Sequence, residues 1–263
     1  MSLAHLDTGS GSPVILVHGA MADYREWSNQ QGPLSQRHRV IAYSRRYHWP
    51  NAPPNKDSDG TAERRAEDLA AIIQSLELRP AHIVGHSYGG LVALTLSLRH
   101  PEMVRTLVLV EPAVSGVLEN APESKALVNE RQAFSDEMRA AFDSGDAERI
   151  VKTALSHYAP GEFDDAPAET REMYQANIPA FRLDFNSPRP TLNCEDMQNI
   201  AAPALVLAGG RSPKGLQRTA ERVAQCLKGE KPRKIPAGNA SLATQSFAGI
   251  QRYGARVPGK ALT

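Results

Sequence analysis

The stretch IVGHSYGG at residues 83–90 sets Ser87 between two glycines, Gly85 and Gly89, where an apolar run gives way to a helical pattern. A serine hydroxyl can attack a carbonyl carbon, but only with help. A base must take its proton, and a carboxylate usually holds that base in one tautomer. Glu111 is the carboxylate candidate, because it follows directly on the apolar run TLVLV and an acid at a strand end faces the same edge as Ser87. Asp164, Asp165 and Asp196 read as surface or capping carboxylates. Four histidines come into question for the base. His18 and His86 sit inside short motifs and read as structural, while His48 and His157 are possible replacements for a base located elsewhere.

Such residues need strands and turns to bring them together. Short apolar runs rich in β-branched residues occur at 13–19, 39–44, 81–86, 106–112 and 203–209, each followed by turn residues. That pattern predicts buried parallel strands. Between them lie helical patterns, one over 60–78 with Ala66, Leu69, Ile72, Ile73 and Leu76 at helical spacing, another over 87–101 closed by Pro101. The alternation predicts an α/β fold, a mostly parallel central sheet with helices on both faces. Residues 115–188 break the pattern: amphipathic helical stretches appear there with no strand, too long for one crossover. We read 1–114 and 189–263 as one core and 115–188 as a helical cap inserted over the carboxyl ends of the strands, where open α/β sheets bind ligands.

Composition narrows the function classes. With 263 residues and 41% hydrophobic residues the chain can bury a substantial core, and a net charge of +1 without a basic stripe argues against a nucleic-acid partner. No apolar run approaches the ~20 residues that span a bilayer, and MSLAHLDTGSGS is no secretory signal. The expectation is a soluble cytoplasmic protein without membrane contact, its two cysteines, Cys194 and Cys226, free thiols in a reducing compartment. No dinucleotide fingerprint, P-loop or metal cluster is evident, so no cofactor and no metal are expected. The partner is a small-molecule substrate.

GHSYGG resembles the G-x-S-x-G nucleophile elbow of the α/β-hydrolase superfamily, with the strand before it and the helix after it that the motif requires. LVHGAMADYREW at 16–27 is similar to that family's HG-containing oxyanion loop. The resemblance covers about 13–257. It implies a serine nucleophile at Ser87 and an oxyanion hole made by the backbone N–H groups of Tyr88 and Ala20. Where many members carry the acid after a later strand, this chain reads AGGRSPKG, without a carboxylate; some branches place it where Glu111 stands.

The family's base follows the last strand in a phrase like IP-x-x-x-H. Here the chain reads IPAGNASL, so Ala240 occupies the histidine slot, and Asn239 is a neutral amide that takes no proton near neutral pH. The resemblance therefore implies a serine hydrolase acting on a carboxylic ester, lactone or related acyl compound that is base-deficient as written. Ala240 is either an introduced His→Ala change or a natural departure. A natural departure would make the chain a cyclase or lyase, or a ligand-binding protein without chemistry. The loop YSRRYHWP puts Tyr47 and Trp49 where relatives have glycines. Met21, Tyr47, His48, Trp49 and His157 are accordingly the expected substrate-binding residues.

Overall fold

Seven strands form one sheet in the order β1-β3-β2-β4-β5-β6-β7. They are β1 (His5–Thr8), β2 (Ser12–Val17), β3 (His38–Tyr43), β4 (Ala81–His86), β5 (Val104–Val110), β6 (Ala204–Gly209) and β7 (Arg233–Ile235). Among the described strands only β1 is antiparallel, and its pairing with β3 runs from His5–Tyr43 to Thr8–Val40. The computed structural model describes residues 2–118, 124–227 and 232–236.

The two-residue period of a strand sorts its apolar side chains onto two faces. Ile15, Val17, Ile41, Ile83, Leu107 and Leu109 share one buried cluster with Leu69 and Ile73 of α2 (Ala62–Ser75), Leu91 and Leu94 of α3 (Tyr88–Arg99), and Val223 of α10 (Lys214–Cys226). Their neighbours Val14, Leu16, Val40, Val84 and Val108 pack on the other face around Trp27, which precedes α1 (Ser28–Ser35), with Leu34 of α1 beside them. The helices are made in the sequence: Thr61 caps α2 by accepting the Arg64 N–H, and α3 is closed by the turn at Pro101.

Between β5 and β6 the described chain is helical: α4 (Ser124–Ser144), α5 (Ala147–Tyr158), α6 (Glu162–Asp165), α7 (Ala168–Ala176), α8 (Ile178–Asn186) and α9 (Cys194–Gln198). Phe134, Met138, Phe142, Val151, Leu155 and Phe181 bury one another in a separate cluster that also takes in Met21 and Ala22, with Ala20 packed against both it and the core. The loop that the sequence motif places beside Ser87 is thus also the seat of these helices.

Two expectations need correction. The pattern of apolar runs did not signal β1, because all four of its residues are exposed and it carries no apolar alternation; it is held at the edge by register and by the Arg39–Asp7 ion pair. The cysteines are not free thiols. Cys194 at the start of α9 and Cys226 at the end of α10 form a disulfide, with Cα atoms 4.9 Å apart. Their pairing is a tertiary contact between two helices, invisible to a reading based on spacing. Among the described residues no helix is long and apolar enough to cross a membrane.

Closing a loop of 32 residues restricts the unfolded chain by about 3–4 kcal/mol in an entropic account. Reduction by dithiothreitol, or the Cys194→Ala substitution, is therefore expected to lower the thermal midpoint by roughly 5–15 °C. Two fast-reacting thiols in the native chain before any reductant is added would contradict the pairing.

Candidate active site

Ser87 stands between β4 and α3 with φ 49° and ψ −114°, a conformation that costs an L-residue about 1–3 kcal/mol. Four backbone bonds hold it there. The Ser87 N–H donates to the Val110 carbonyl (2.9 Å), while the Ser87 carbonyl accepts from Ala113 and Gly90 (3.0 Å each) and from Leu91 (3.3 Å). The flanking glycines make the turn possible. A Cβ on Gly89 would lie 2.1 Å from the Val17 carbonyl oxygen, and one on Gly85 would lie 2.5 Å from the Gly89 carbonyl oxygen.

Above this turn opens a cavity of about 490 Å³. Ser87, Tyr88, Glu111, Ala20 and Met21 line it from the sheet side, and His157 from α5, so six residues singled out in the sequence meet in one place. Phe134, Phe181 and Phe185 give it an apolar wall. Tyr88 is the first residue of α3, where an N–H has no partner within the helix. Position 240 lies outside the described residues.

Glu111 also has a positive φ, 46°. Its Oε1 accepts the Gly209 N–H at 2.8 Å, which fixes the carboxylate across the β5–β6 pair. Its Oε2 is buried and has no hydrogen-bond partner among the described residues. A buried carboxylate oxygen without a donor is unfavourable by about 1–3 kcal/mol or more, so such an atom asks for a partner.

Tyr47, His48 and Trp49 are not among the residues that line this cavity. Trp49 is exposed and lies under the Arg25 guanidinium, 4.0 Å from its ring centre, and Tyr47 faces the guanidinium groups of Arg46 and Arg65. His48 is fully buried beside the cavity: its Nδ1 bonds to the Ala22 carbonyl at 2.8 Å and its Nε2 lies 3.3 Å from Asp184. Their partners are the cations Arg25, Arg46 and Arg65 and, for His48, the Ala22 carbonyl and Asp184.

A set of buried charges forms the electrostatic centre of the molecule. Asp184 of α8 accepts from Arg45 Nη1 at 2.8 Å and from Arg65 Nη2 at 2.9 Å, with all three side chains buried. Burial alone would raise the Asp184 carboxyl; Arg45, the bond to His48 and Arg65 outweigh it and hold the group well below the usual carboxylate range. Arg45 reaches further, with Nη2 donating to the Gly19 carbonyl (2.9 Å) and Nε to the His18 carbonyl (3.3 Å). Arg45 also donates its backbone N–H to His18 Nε2 (2.8 Å), leaving His18 Nδ1–H to donate to the Gly19 carbonyl (2.8 Å). One signal for this cluster was legible: Asp184 lies three residues after Phe181 and so shares the apolar face of its helix.

A second polar group closes the cavity opposite the aromatic wall. His86 Nδ1 bonds to Glu26 Oε1 at 3.0 Å, and Glu26 Oε2 accepts the Gly19 N–H at 3.0 Å. From the helical side Tyr174 donates to Glu162 Oε1 at 2.6 Å, and burial pushes the Glu162 carboxyl above its ordinary range. His157 is stacked on Phe134 at 4.0 Å, and burial lowers its pKa. Among the described residues no group of three or more His, Cys, Asp or Glu side chains could hold a metal ion.

A seven-stranded sheet with a strained serine turn at a strand end defines a class, and comparison with known proteins bears on it directly. Residues 12–242 match the α/β hydrolase fold family, and the chain belongs to that family. Over 221 residues it is 28% identical to a Mycobacterium tuberculosis protein named as non-heme bromoperoxidase BpoC, covering 79% of this chain and 78% of that one. The crystal structure of BpoC superposes with a TM-score of 0.73 at 25% identity, over 96% of this chain and 92% of that one. A shorter match, 33% over 120 residues, covers 41% of this chain and 38% of the 2-hydroxymuconate semialdehyde hydrolase of Pseudomonas sp. (strain CF600). A thermophilic esterase from Thermogutta terrifontis shares the fold, with a TM-score of 0.73 at 22% identity over 95% of this chain and 90% of its own.

The buried imidazoles give the fold a definite response to acid. Burial, reinforced by the charge of Arg45, lowers His18 well below its ordinary range and His48 to about 4; burial lowers His82, near the start of β4, to about 4 as well. Each binds a proton more readily in the unfolded chain, near pH 6.5, than in the fold. Their stabilising contribution is complete above pH 6.5 and is lost as pH falls toward 4. Thermal midpoints are expected to fall steadily from pH 7 to pH 5, with net proton uptake on unfolding at pH 5. A flat midpoint over that interval would contradict neutral, buried histidines.

Proposed function

We propose that the chain is a serine hydrolase for carboxylic esters, lactones or related acyl compounds whose catalytic base is missing. Ser87 is the nucleophile, Glu111 the acid of the triad, and Ala240 stands where the base would be. The carrying observation is the buried Glu111 Oε2, held at a strand end beside Ser87 and without a partner among the described residues. An imidazole at 240 is the group that such an oxygen orients. The family membership and the names of the relatives, a semialdehyde hydrolase and an esterase among them, support the reaction class.

With a base in place the steps follow from the geometry. Ser87 Oγ loses its proton to the imidazole and adds to the substrate carbonyl carbon. The charge that develops on the carbonyl oxygen meets the N–H groups of Ala20 and Tyr88, with the start of α3 behind the latter. The imidazolium, steadied by Glu111, then returns the proton to the leaving oxygen, and water repeats the sequence to release the acid. Residues 115–188 act as the cap: Phe134, Phe181 and Phe185 would receive an apolar acyl part, with Glu26, His86, Glu162 and Tyr174 facing its polar end. The substrate is a small molecule of that shape.

Loss of the base in a serine triad lowers turnover by about a millionfold, leaving roughly 10³–10⁴ over water from the oxyanion hole and binding. One observation favours a second reading: no histidine follows His157 in the chain, so a cyclase, a lyase or a binding protein built on the same cavity fits Ala240 without repair.

The discriminating experiment compares the chain with its Ala240→His variant on a panel of aryl esters and lactones. A rise in kcat/KM approaching a millionfold is expected, abolished by a further Ser87→Ala and reduced about 10⁴-fold by Glu111→Gln. Robust turnover by the unaltered chain that survives Ser87→Ala would establish the second reading instead.

A further inference from the structure

Two consecutive peptide units after β2 are pinned at nearly every polar atom. The His18 carbonyl accepts from Arg45 Nε, the Gly19 N–H donates to Glu26 Oε2, and the Gly19 carbonyl accepts from both Arg45 Nη2 and His18 Nδ1–H. The last of these matters most for chemistry. The Gly19 carbonyl and the Ala20 N–H belong to one planar trans peptide, so they point in opposite directions. Whatever fixes the carbonyl fixes the amide, and a cationic donor on the oxygen also polarises the N–H at the other end. Arg45 further lies over the ring of Tyr88, 4.7 Å from its centre, and the Tyr88 hydroxyl is tied to the Gly60 carbonyl. One guanidinium thus touches Tyr88 itself and the carbonyl of the peptide that carries the Ala20 N–H.

We propose that Arg45 is the positioning residue of the oxyanion hole, aiming and polarising the Ala20 N–H through the Gly19 carbonyl, and that Asp184 couples this hole to the cap by holding Arg45 from α8. The proposal rests on the hydrolase reading above. Its structural content is specific: Arg45 Nη1 is bound to Asp184, whose other oxygen is bound to Arg65, so the guanidinium has one orientation available. Movement of α8 away from the sheet would release Arg45 and with it the constraint on the Gly19–Ala20 peptide. An oxyanion donor acts on the transition state and not on the bound ester, so its misplacement appears in kcat and not in KM.

The test uses the full chain carrying Ala240→His, with Arg45→Met, Arg45→Lys and Asp184→Asn each added singly. Arg45→Met is expected to lower kcat for an aryl ester about 100-fold with KM changed less than about twofold, as for loss of one oxyanion donor. Arg45→Lys, which keeps the charge without the fork, should fall between the two, and Asp184→Asn should lose about tenfold in kcat. A readout independent of turnover is the carbonyl carbon resonance of Gly19, labelled with ¹³C, which should move upfield when Arg45 no longer donates to it. Unchanged kcat with an unmoved Gly19 resonance in a folded Arg45→Met chain overturns the proposal, as does a loss that lies wholly in KM. If neither Arg45 variant folds, Asp184→Asn decides by the same two readouts. If Ala240→His brings no ester hydrolysis, the hydrolase reading fails, and the Gly19 resonance alone judges whether Arg45 holds that peptide.

Discussion

The buried carboxylate of Asp184 is the contact on which the arrangement of this protein turns. It lies on α8, yet its two oxygens are satisfied by Arg45 from the loop after β3 and by Arg65 from α2. Two buried guanidinium groups and a buried carboxylate are tolerable only together; removing one partner of such a set is destabilising by about 3–5 kcal/mol because the others remain desolvated. The helices between β5 and β6 therefore do not merely rest on the sheet through apolar contact. They complete a charge set whose other members belong to the core. Both attachments line the cavity, the ionic one at Asp184 and the apolar one around Ala20, Met21 and Ala22.

Beneath it the sheet fixes distances that side chains alone could not. β4 and β5 run in register so that Gly85 pairs with Leu109 and His86 with Val110, which brings the ends of both strands level. The Ser87 N–H closes that edge on the Val110 carbonyl, and the Glu111 N–H closes the next on Leu207. Both residues then adopt positive φ. Strain at two adjacent strand ends is held by a sheet whose central residues are fully buried.

Much of this was legible in the sequence because it rests on local pattern. The strands carrying Val14 to Val17, Ile83 to Gly85 and Leu107 to Val110 announce themselves by apolar runs, and the glycines around Ser87 by the turn they permit. Glu111 was legible as an acid at the end of such a run. The positions of Tyr47, His48 and Trp49 were not, since they depend on Arg25, Arg46, Arg65 and Asp184, which come from four separate parts of the chain. A loop read for its aromatic residues is organised by charged groups drawn mostly from elsewhere in the chain. The Cys194–Cys226 bond escaped for the same reason: nothing local records that the start of α9 and the end of α10 lie together.

That disulfide has a reach beyond its own helices. The ring it closes contains all of β6, and with it Gly209, whose N–H holds Glu111 Oε1. A strand near the sheet edge, with only the three-residue β7 outside it among the described residues, would ordinarily belong to the part of a fold that opens first. Here β6 cannot peel away alone, because its excursion is limited by a covalent tie to α9 on one side and through α10 on the other. In the currency of amide exchange, the hydrogen on Gly209 should leave with the slow, cooperative class in the oxidised chain and join the faster, locally opening class once the bond is reduced. Glu111 is anchored by a strand whose ability to fray is set by the sulfur chemistry of the helices that flank it.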